Sequence, residues 1–446
     1  MIVLSSGERI SPEEIETHYC RSIFIKEVCV MAGIGDARLF GVVVPDMDRL
    51  RAKRIVNAGD LMRFEMEGLT HALPPHQRVH GYDIWFEPLP RDAAQAIDRR
   101  EVEQRTRERQ AIASGERDAP ISAKDREWMA EPHASAVLEI IRGRLREGAR
   151  LFPDANLEID LGFDSIARVE LLTELERQFG VTVEQESAAG IFTVRQLVAA
   201  LPANKADRRS ENVAAWSLLL RDLPAEDDPV LSGLLAKRPI AAPVLYALAR
   251  VIGALLFRIE MTGLENLPGN GAFIISPNHQ SYLDPFMLCS KVPFRIFRNL
   301  FFVGAVEYFE TPLTQWFARI ANLVPVDPDS NLVPAMKAGA FGLAHGKILV
   351  LFPEGERAID GTVKKFKKGA PILAQHLRVP IVPVAIKGVF ELWPRGRSFN
   401  WRLLKPWSRH RVQIAIGKPM TIAENADYSQ TTTELRDRVE KMWQSL

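Results

Sequence analysis

Apolar residues recur along this chain with two periods, and the places where the period changes divide it. Near the start, KEVCVM and LFGVVV are short runs rich in β-branched residues, the pattern of strands. VVVPD at 42–46 reads as a strand ending in a turn. SPEE at 11–14 puts a cap residue and a proline at the first turn of a helix. A small α+β domain is therefore expected over residues 1–91. From 92 to 132 the pattern dissolves into charge, as in IDRREVEQRTRERQ, which predicts a solvated helix or a linker. Val137, Leu138, Ile141 and Leu145 then recur at helical spacing. A second helix is expected from Ser165, with Ile166, Val169, Leu172, Leu175 and Phe179 on its apolar side, and a third, shorter one at TVRQLVAAL. Three or four helices over 133–201, with a long loop after the first, make a bundle near the lower size limit for independent folding. Residues 202–238 read as another polar linker, with a short helix around WSLLLRDL.

The rest, 239–446, alternates. FIISPNH, KILVLFPEG and VPIVPVAIKG each read as an apolar strand running into a loop, and AMKAGAFGLAHG is one of the helical stretches between them. A mixed α/β layer with function at its strand ends is expected. The fold class is thus multidomain α/β. Two further apolar stretches stand out. One runs from Ala241 to Phe257, broken by Arg250 and bounded by Arg258; the other is PFRIFRNLFFVGA at 293–305. Neither reaches the ~18 uninterrupted apolar residues of a spanning helix, so both read as core or interfacial helices.

Bulk composition narrows the picture. A chain of 446 residues implies several domains, and 47% hydrophobic with 25% charged residues excludes a disordered one. Cys20, Cys29 and Cys289 have no metal-ligand spacing, so no metal site or disulfide framework is expected and a reducing compartment fits. The start, MIVLSSGERI, lacks the pattern of a secretory signal. The net charge of +1 hides an asymmetry: from Lys237 onward there are 27 Lys+Arg against 16 Asp+Glu, which leaves about −10 for the front. A basic back half suits anionic lipid or phosphate rather than nucleic acid, and the expected location is cytoplasmic, peripheral at the inner face of a membrane.

Candidate chemistry lies at two strand ends. NHQSYLDPF puts His279 and Asp284 five positions apart after an apolar strand. An alcohol needs a base to attack a thioester, histidine suits that role near neutral pH, and a carboxylate on its other ring nitrogen fixes the tautomer. The same spacing also fits a structural histidine and a capping aspartate. FPEGER follows the strand KILVL. Its Gly355 permits close backbone approach, and its Arg357 can grip phosphate bidentately. Lys364, Lys365, Lys367 and Lys368 supply either a solvated basic face or a site for phosphate or an anionic headgroup.

NHQSYLD, FPEGER and VPIVPV, in this order, resemble the glycerol-phosphate and lysophosphatidate acyltransferase family over roughly the last 200 residues. The resemblance implies that His279 and Asp284 are catalytic, that Glu354, Gly355 and Arg357 bind the acceptor phosphate, and that Pro383 sits in the acyl-site motif. It implies an O-acyltransferase of phospholipid synthesis working on a lysophospholipid, with acyl-CoA or an acyl carrier as donor. Two positions depart from the family: Glu356 stands where threonine is usual, and Pro328 stands where an arginine is expected. The second keeps open an acceptor with a substituted phosphate, or another lipid alcohol or amine.

LGFDSIARVELLTELERQFGV resembles acyl carrier proteins, and Ser165 matches the serine that carries covalent 4′-phosphopantetheine. A helix N-terminus is a favourable place for its phosphodiester. GERISPEEIE, LFGVVVPD, LPPHQRV and EPLPRDAAQAIDR resemble the C-terminal subdomain of AMP-forming acyl-activating enzymes, though Ala96 occupies the position of that family's late catalytic lysine. Two expectations stay open for this block, a degenerate docking module or the tail of an enzyme whose large part is encoded separately or lost upstream of Met1, and a separate acyl-activating enzyme is among the expected partners. The competing expectation is a non-catalytic carrier scaffold held at a membrane by residues 239–446.

Overall fold

In a computed structural model the described residues are 2–3, 9–33, 39–53, 55, 58–70, 72–113, 121–145, 150–181, 183, 190–202, 215–226, 228, 231–236, 240–304, 320–326, 332–395, 397–404 and 410–446. The chain divides into two compact units, Met1–Glu211 and Asn212–Leu446.

The first unit opens with an antiparallel pair, β1 (Ile2–Val3) and β2 (Arg9–Ile10), and helix α1 (Pro12–Tyr19). A three-stranded sheet follows, in the order β3 (Ile25–Ala32), β4 (Leu39–Pro45), β5 (Val79–Ile84). Helices α2 (Met47–Ala52) and α3 (Ala58–Thr70) lie between β4 and β5. Alternation along the strands gives the sheet two apolar faces. Val28, Val30 and Val43 pack with Ile15, Tyr19, Met62 and Met66 of α1 and α3. Cys29, Met31, Val42 and Val44 pack with Trp85, Leu89 and Val102. Val102 belongs to α4 (Arg99–Ala113), in the segment whose charge reads as a linker. Few residues seat α4: Val102 and Thr106 are buried, and Arg99 meets Glu16 at 2.5 Å and the Val30 carbonyl at 3.1 Å. Arg109 reaches back too, over the Trp85 ring at 4.6 Å and to Glu87, and this reliance on charged residues is why periodicity alone does not reveal the contact.

Among the described residues of the same unit four helices follow: α5 (Ala123–Ala130), α6 (Pro132–Arg142), α7 (Ser165–Phe179) and α8 (Val194–Ala199). Val137, Leu138 and Ile141 of α6 share a core with Leu171, Leu175 and Phe179 of α7 and with Val194 and Leu197 of α8. Helix α7 is rotated from the expected face. Arg168 and Leu171 are buried, whereas Val169 and Leu172 are half-buried. The rotation is possible because the Arg168 guanidinium donates to the Ile191 carbonyl, so a buried charge on the inward face keeps a partner.

The second unit begins with α9 (Ala215–Leu219) and α10 (Ser232–Leu235). Trp216 of α9 is buried, and its neighbour Ser217 meets His376 at 3.3 Å, so this part of the expected linker packs on the C-terminal unit. Next comes α11 (Ala241–Leu256). Ile240, Val244, Leu248, Val251, Ile252 and Leu255 are all exposed, Ile240 to 77%. At 100° per residue these six fall within an arc of about 120°, a continuous apolar stripe. The helix is tied down from the other side, where Tyr246 meets Phe294 and Phe297 at 5.2 Å. No helix among the described residues is long and apolar enough to cross a membrane.

A seven-stranded sheet follows. Its strands are β6 (Phe257–Thr262), β7 (Phe273–Pro277), β8 (Leu300–Val303), β9 (Leu323–Val324), β10 (Ile348–Val350), β11 (Ile381–Lys387) and β12 (His410–Ile416), in the order β6-β12-β11-β7-β10-β8-β9. Strands β11, β7, β10, β8 and β9 run parallel, and β12 pairs antiparallel to β11. One face carries α12 (Asp284–Cys289) and α13 (Phe294–Phe297), whose Met287, Leu288 and Ile296 share a core with Phe273, Ile275, Val382 and Val384. Leu349, on the opposite pleat, meets α14 (Leu332–Ala344) at Gly339. Helices α15 (Gly369–Leu377) and α16 (Tyr428–Ser445) complete that side. The stretch 293–305, expected as one helix, splits into α13 and β8 after its first turn and buries Ile296, Leu300 and Phe301.

Candidate active site

Strands β7 and β10 are neighbours, parallel and in register, with Phe273 opposite Ile348 and Ile275 opposite Val350. Their C-terminal ends therefore release two loops side by side, and residues four past the Ile275–Val350 pair come level. That is how His279 and Glu354, 75 positions apart in sequence, meet: the His279 N–H donates to Glu354 Oε1 at 3.2 Å.

The imidazole is held from three sides. Its Nδ1 lies 2.7 Å from Asp284 Oδ2, its ring stacks on Phe352 with centroids 4.0 Å apart, and its backbone carbonyl accepts the Ala358 N–H at 2.7 Å. Asp284 is 0% exposed. Besides the imidazole, its Oδ2 accepts the Gln280 and Ser281 N–H groups at 2.6 and 2.8 Å. A carboxylate held by two backbone donors keeps its orientation, so Nδ1 is committed and Nε2 is the ring nitrogen left to face a reacting group.

Asn278 anchors the loop. Its side chain donates to the Ile386 carbonyl at 3.0 Å and accepts the Ile386 N–H at 2.7 Å, so the residue before His279 is clamped to β11. Ser281 donates to the Trp393 carbonyl at 3.0 Å, and Gln280 to the Gly361 carbonyl at 2.6 Å. The sequence pattern alone does not single out Asn278 or Ser281. Their only signal is two small polar residues flanking a histidine at a strand end.

The second loop carries FPEGER. Glu354 is 3% exposed, and burial pushes its carboxyl up to about 8. Gly355 has φ +77°, and a Cβ there would stand 2.8 Å from Lys367 Cε. The Arg357 guanidinium lies 3.4 Å above the Tyr282 ring, which packs on Trp393 at 4.6 Å. Glu356, which stands in the place of a threonine, pairs with Arg395 at 3.0 Å, both side chains being largely buried. Of the downstream lysines, Lys364 meets Asp360 at 2.6 Å.

Not every expected site residue joins this cluster. Pro383 is buried within β11, opposite Ser276, and packs on the side where Gly417 and Met442 lie. It supports the sheet three residues below the level of His279. Pro328 lies outside the described residues.

Ser165 is the first residue of α7. The capping role that a serine usually takes at such a position belongs instead to Asp164, whose carboxylate accepts the Ala167 N–H at 2.8 Å. The Ser165 hydroxyl is thus spared the capping bond and stands half-exposed at the positive end of a fifteen-residue helix. These features fit attachment of a phosphodiester.

Comparison with known proteins agrees with both regions. Residues 258–387 match the family model described as Acyltransferase, and residues 135–201 match the one described as Phosphopantetheine attachment site. The chain therefore holds a carrier domain and a C-terminal acyltransferase domain within a multidomain α/β architecture. It is 33% identical over 144 residues to a chloroplastic 1-acyl-sn-glycerol-3-phosphate acyltransferase of Arabidopsis thaliana, a match covering 31% of this chain and 39% of that protein. It is 29% identical over 178 residues to a 1-acyl-sn-glycerol-3-phosphate acyltransferase of Pseudomonas aeruginosa, covering 39% of this chain and 62% of that protein. The three first relatives are spanned over 39%, 40% and 49% of their own lengths. Among solved structures, the 1-acyl-sn-glycerophosphate acyltransferase of Thermotoga maritima aligns over 48% of this chain and 86% of its own, at 25% identity and a TM-score of 0.39.

Proposed function

We propose that this protein transfers a fatty acyl group from a thioester to the hydroxyl of a glycerol-phosphate-type lysolipid. The observation that carries this reading is the imidazole of His279, fixed through Nδ1 by buried Asp284 and set level with the FPEGER loop. In the reaction, His279 Nε2 takes the proton of the acceptor hydroxyl as its oxygen attacks the thioester carbonyl. The C–S bond breaks, the thiolate leaves, and the proton held by the imidazolium passes to it. Asp284 stabilises the transient imidazolium, and its two backbone donors hold it in place throughout. Arg357, with Gly355 giving close backbone approach, receives the acceptor phosphate. A protonated Glu354 behind His279 adds no second negative charge to the pocket at neutral pH. Pro383 serves the acyl side through the strand it stiffens.

The donor is acyl-CoA or an acyl group carried by this chain. A 4′-phosphopantetheine arm on Ser165 would supply the thiol that holds the acyl group. Tethering donor and acceptor sites in one chain raises the effective donor concentration toward the millimolar range when the connection spans them. We place the domain limits at 1–91, 133–201 and 239–446, with α4 of the segment 92–132 seated on the first and α9 of the segment 202–238 on the last. Residues 1–91 are read as akin to the C-terminal subdomain of AMP-forming acyl-activating enzymes. With Ala96 in place of a lysine, they do not activate a fatty acid alone, so a separate activating enzyme supplies the thioester. ATP-dependent pyrophosphate release by the purified chain would refute that part. The apolar stripe of α11, in a half of the chain with excess positive charge, suits peripheral binding to an anionic membrane surface where the acceptor resides.

The test is transfer from acyl-CoA to lysophosphatidate or lysophosphatidylethanolamine in vesicles, read as diacyl product by mass. The wild-type chain forms product with at least one acceptor. His279→Ala keeps its fold and loses about 10²-fold or more of the rate. Full activity of that variant would end the assignment.

A further inference from the structure

Within the first unit, the carrier helices and the N-terminal α+β domain touch through a defined patch. Phe192, just before α8, shares an apolar cluster with Leu50 of α2 and Ala58 of α3, and its ring stacks on Phe86 with centroids 6.2 Å apart and planes 25° from parallel. Beside it, Glu158 Oε2 accepts the Gly59 N–H at 3.1 Å. The fit at Gly59 is close: a Cβ there would stand 2.6 Å from Glu158 Oε1.

This patch lies against the turn that bears the modified serine. Arg168, one turn after Ser165, is buried, sits 5.7 Å above the Phe192 ring, and acts electrostatically on Glu158. Ile166, the residue next to Ser165, is also buried. Both contacts to the N-terminal domain, Phe192 to Phe86 and Glu158 to Gly59, are one side chain away from Arg168. We infer that the N-terminal domain is a dock for the carrier of its own chain, gripping it by the face beside Ser165, and that chemistry at Ser165 requires this dock to open. The inference rests on the carrier reading of Ser165. It gives the N-terminal domain a role that needs no adenylation.

Two properties of the patch suit a contact that opens. It is small, with a few rings and one carboxyl that takes the backbone N–H groups of Gly59 and Asp60. It also buries a carboxyl near another acid, Asp60: desolvation lifts Glu158 to about 7, with Arg168 acting in the opposite sense. A contact that burdens its own carboxylate is weaker than an apolar one of the same area. Enzymes that load or unload the arm meet only the open fraction, so their apparent rate scales with it.

The experiment uses the full-length apo protein, coenzyme A and a phosphopantetheinyl transferase, with intact mass followed over time. In loading, Ser165 Oγ forms a bond to the phosphorus bearing the pantetheine. The pyrophosphate linkage of coenzyme A breaks, adenosine 3′,5′-bisphosphate leaves, and the hydroxyl proton passes to the transferase. Gly59→Glu thrusts bulk and like charge at Glu158, and Phe86→Ala removes the stacked ring from the N-terminal side. Both are expected to load Ser165 at least about threefold faster than wild type, as the open fraction grows. Glu158→Gln keeps the acceptor for the Gly59 N–H without the charge and is expected to load no faster than wild type. Equal loading rates in all four proteins, with amide exchange showing the 156–163 segment deprotected in Gly59→Glu, would overturn the dock. If circular dichroism shows Gly59→Glu unfolded, Phe86→Ala decides alone, and an unchanged rate there overturns the inference. If wild type and every variant fail to gain mass at Ser165, the carrier reading itself falls.

Discussion

The end of β7 and the start of α7 both present a reactive group, and they hold it in opposite ways. His279 stands where three parallel strands end together. Asn278 clamps its loop to β11, Asp284 fixes its ring, Phe352 stacks on it, and Glu354 takes its backbone N–H. Ser165 stands on a single helical turn whose cap, Asp164, leaves its hydroxyl aside. The first arrangement suits chemistry that must happen at one geometry, since a misplacement of about 1 Å can cost about 10²-fold in rate. The second suits a point of attachment, where the group carried does the moving. How tightly a reactive group is held thus follows from what it does. On the proposed reading the base is immobilised, whereas the tether is merely exposed.

The contrast meets its most severe trial at Asp284. Asp284→Asn keeps the size of the side chain but loses the carboxylate that selects the tautomer. Transfer should fall about 10²- to 10⁴-fold, with Ser165 loading by a phosphopantetheinyl transferase unchanged. Loss of loading as well would mean that the two regions are not independent. Ser165→Ala offers the converse: no arm by intact mass, with transfer from free acyl-CoA kept within about twofold of wild type. A collapse of that activity would show that the arm is obligatory.

A smaller effect is expected at Gly355. An alanine there carries a Cβ at φ +77° against Lys367, a strain of about 1–2 kcal/mol. The acceptor KM should rise about tenfold while the donor KM stays put, read from initial rates at varied concentrations of each substrate. Smaller still is the pH dependence of stability. The Glu354 carboxyl is raised to about 8, above its unfolded value near 4.5, so the folded protein holds a proton that the unfolded chain has released between those limits. Unfolding free energy should therefore be fully supported below about pH 4.5 on this group's account and decline as pH rises toward 8. Glu354→Gln should flatten that decline in denaturant titrations at pH 5, 6.5 and 8. An unchanged slope would place the proton elsewhere.

The strands of the second unit are legible in the sequence because parallel, doubly covered strands are written as unbroken apolar runs: FIISP, ILV and IVPVAI are all in the sheet. His279, Asp284 and Glu354 are legible as polar residues just past those runs. Which neighbours hold them is not. Asn278 and Ser281 act through backbone groups of β11 and of the loop after it, more than a hundred residues away. The Glu356–Arg395 pair likewise joins two loops that only the sheet order brings together. In the first unit the difficulty is of another kind. Helix α4 is hidden by its charge, since one valine, one threonine and the paired arginines Arg99 and Arg109 seat it. The inward face of α7 differs from its periodicity because a buried arginine takes a position that pattern reading reserves for an apolar residue.

The in-register pairing of β7 with β10 has a consequence for how this scaffold can change. One residue added or lost within either strand would slide its loop by about 3.3 Å and turn alternate side chains to the wrong face. Glu354 would then leave the His279 amide. Changes of chain length must therefore gather outside the strands, in the connections between β8 and β9 or between β9 and α14, and not in the segment after β11 whose Trp393 and Arg395 hold the two loops. Those connections are where an engineer seeking another acceptor can lengthen, shorten or graft sequence, because the two loops that meet at His279 are indexed to each other by the sheet and not by the chain between them.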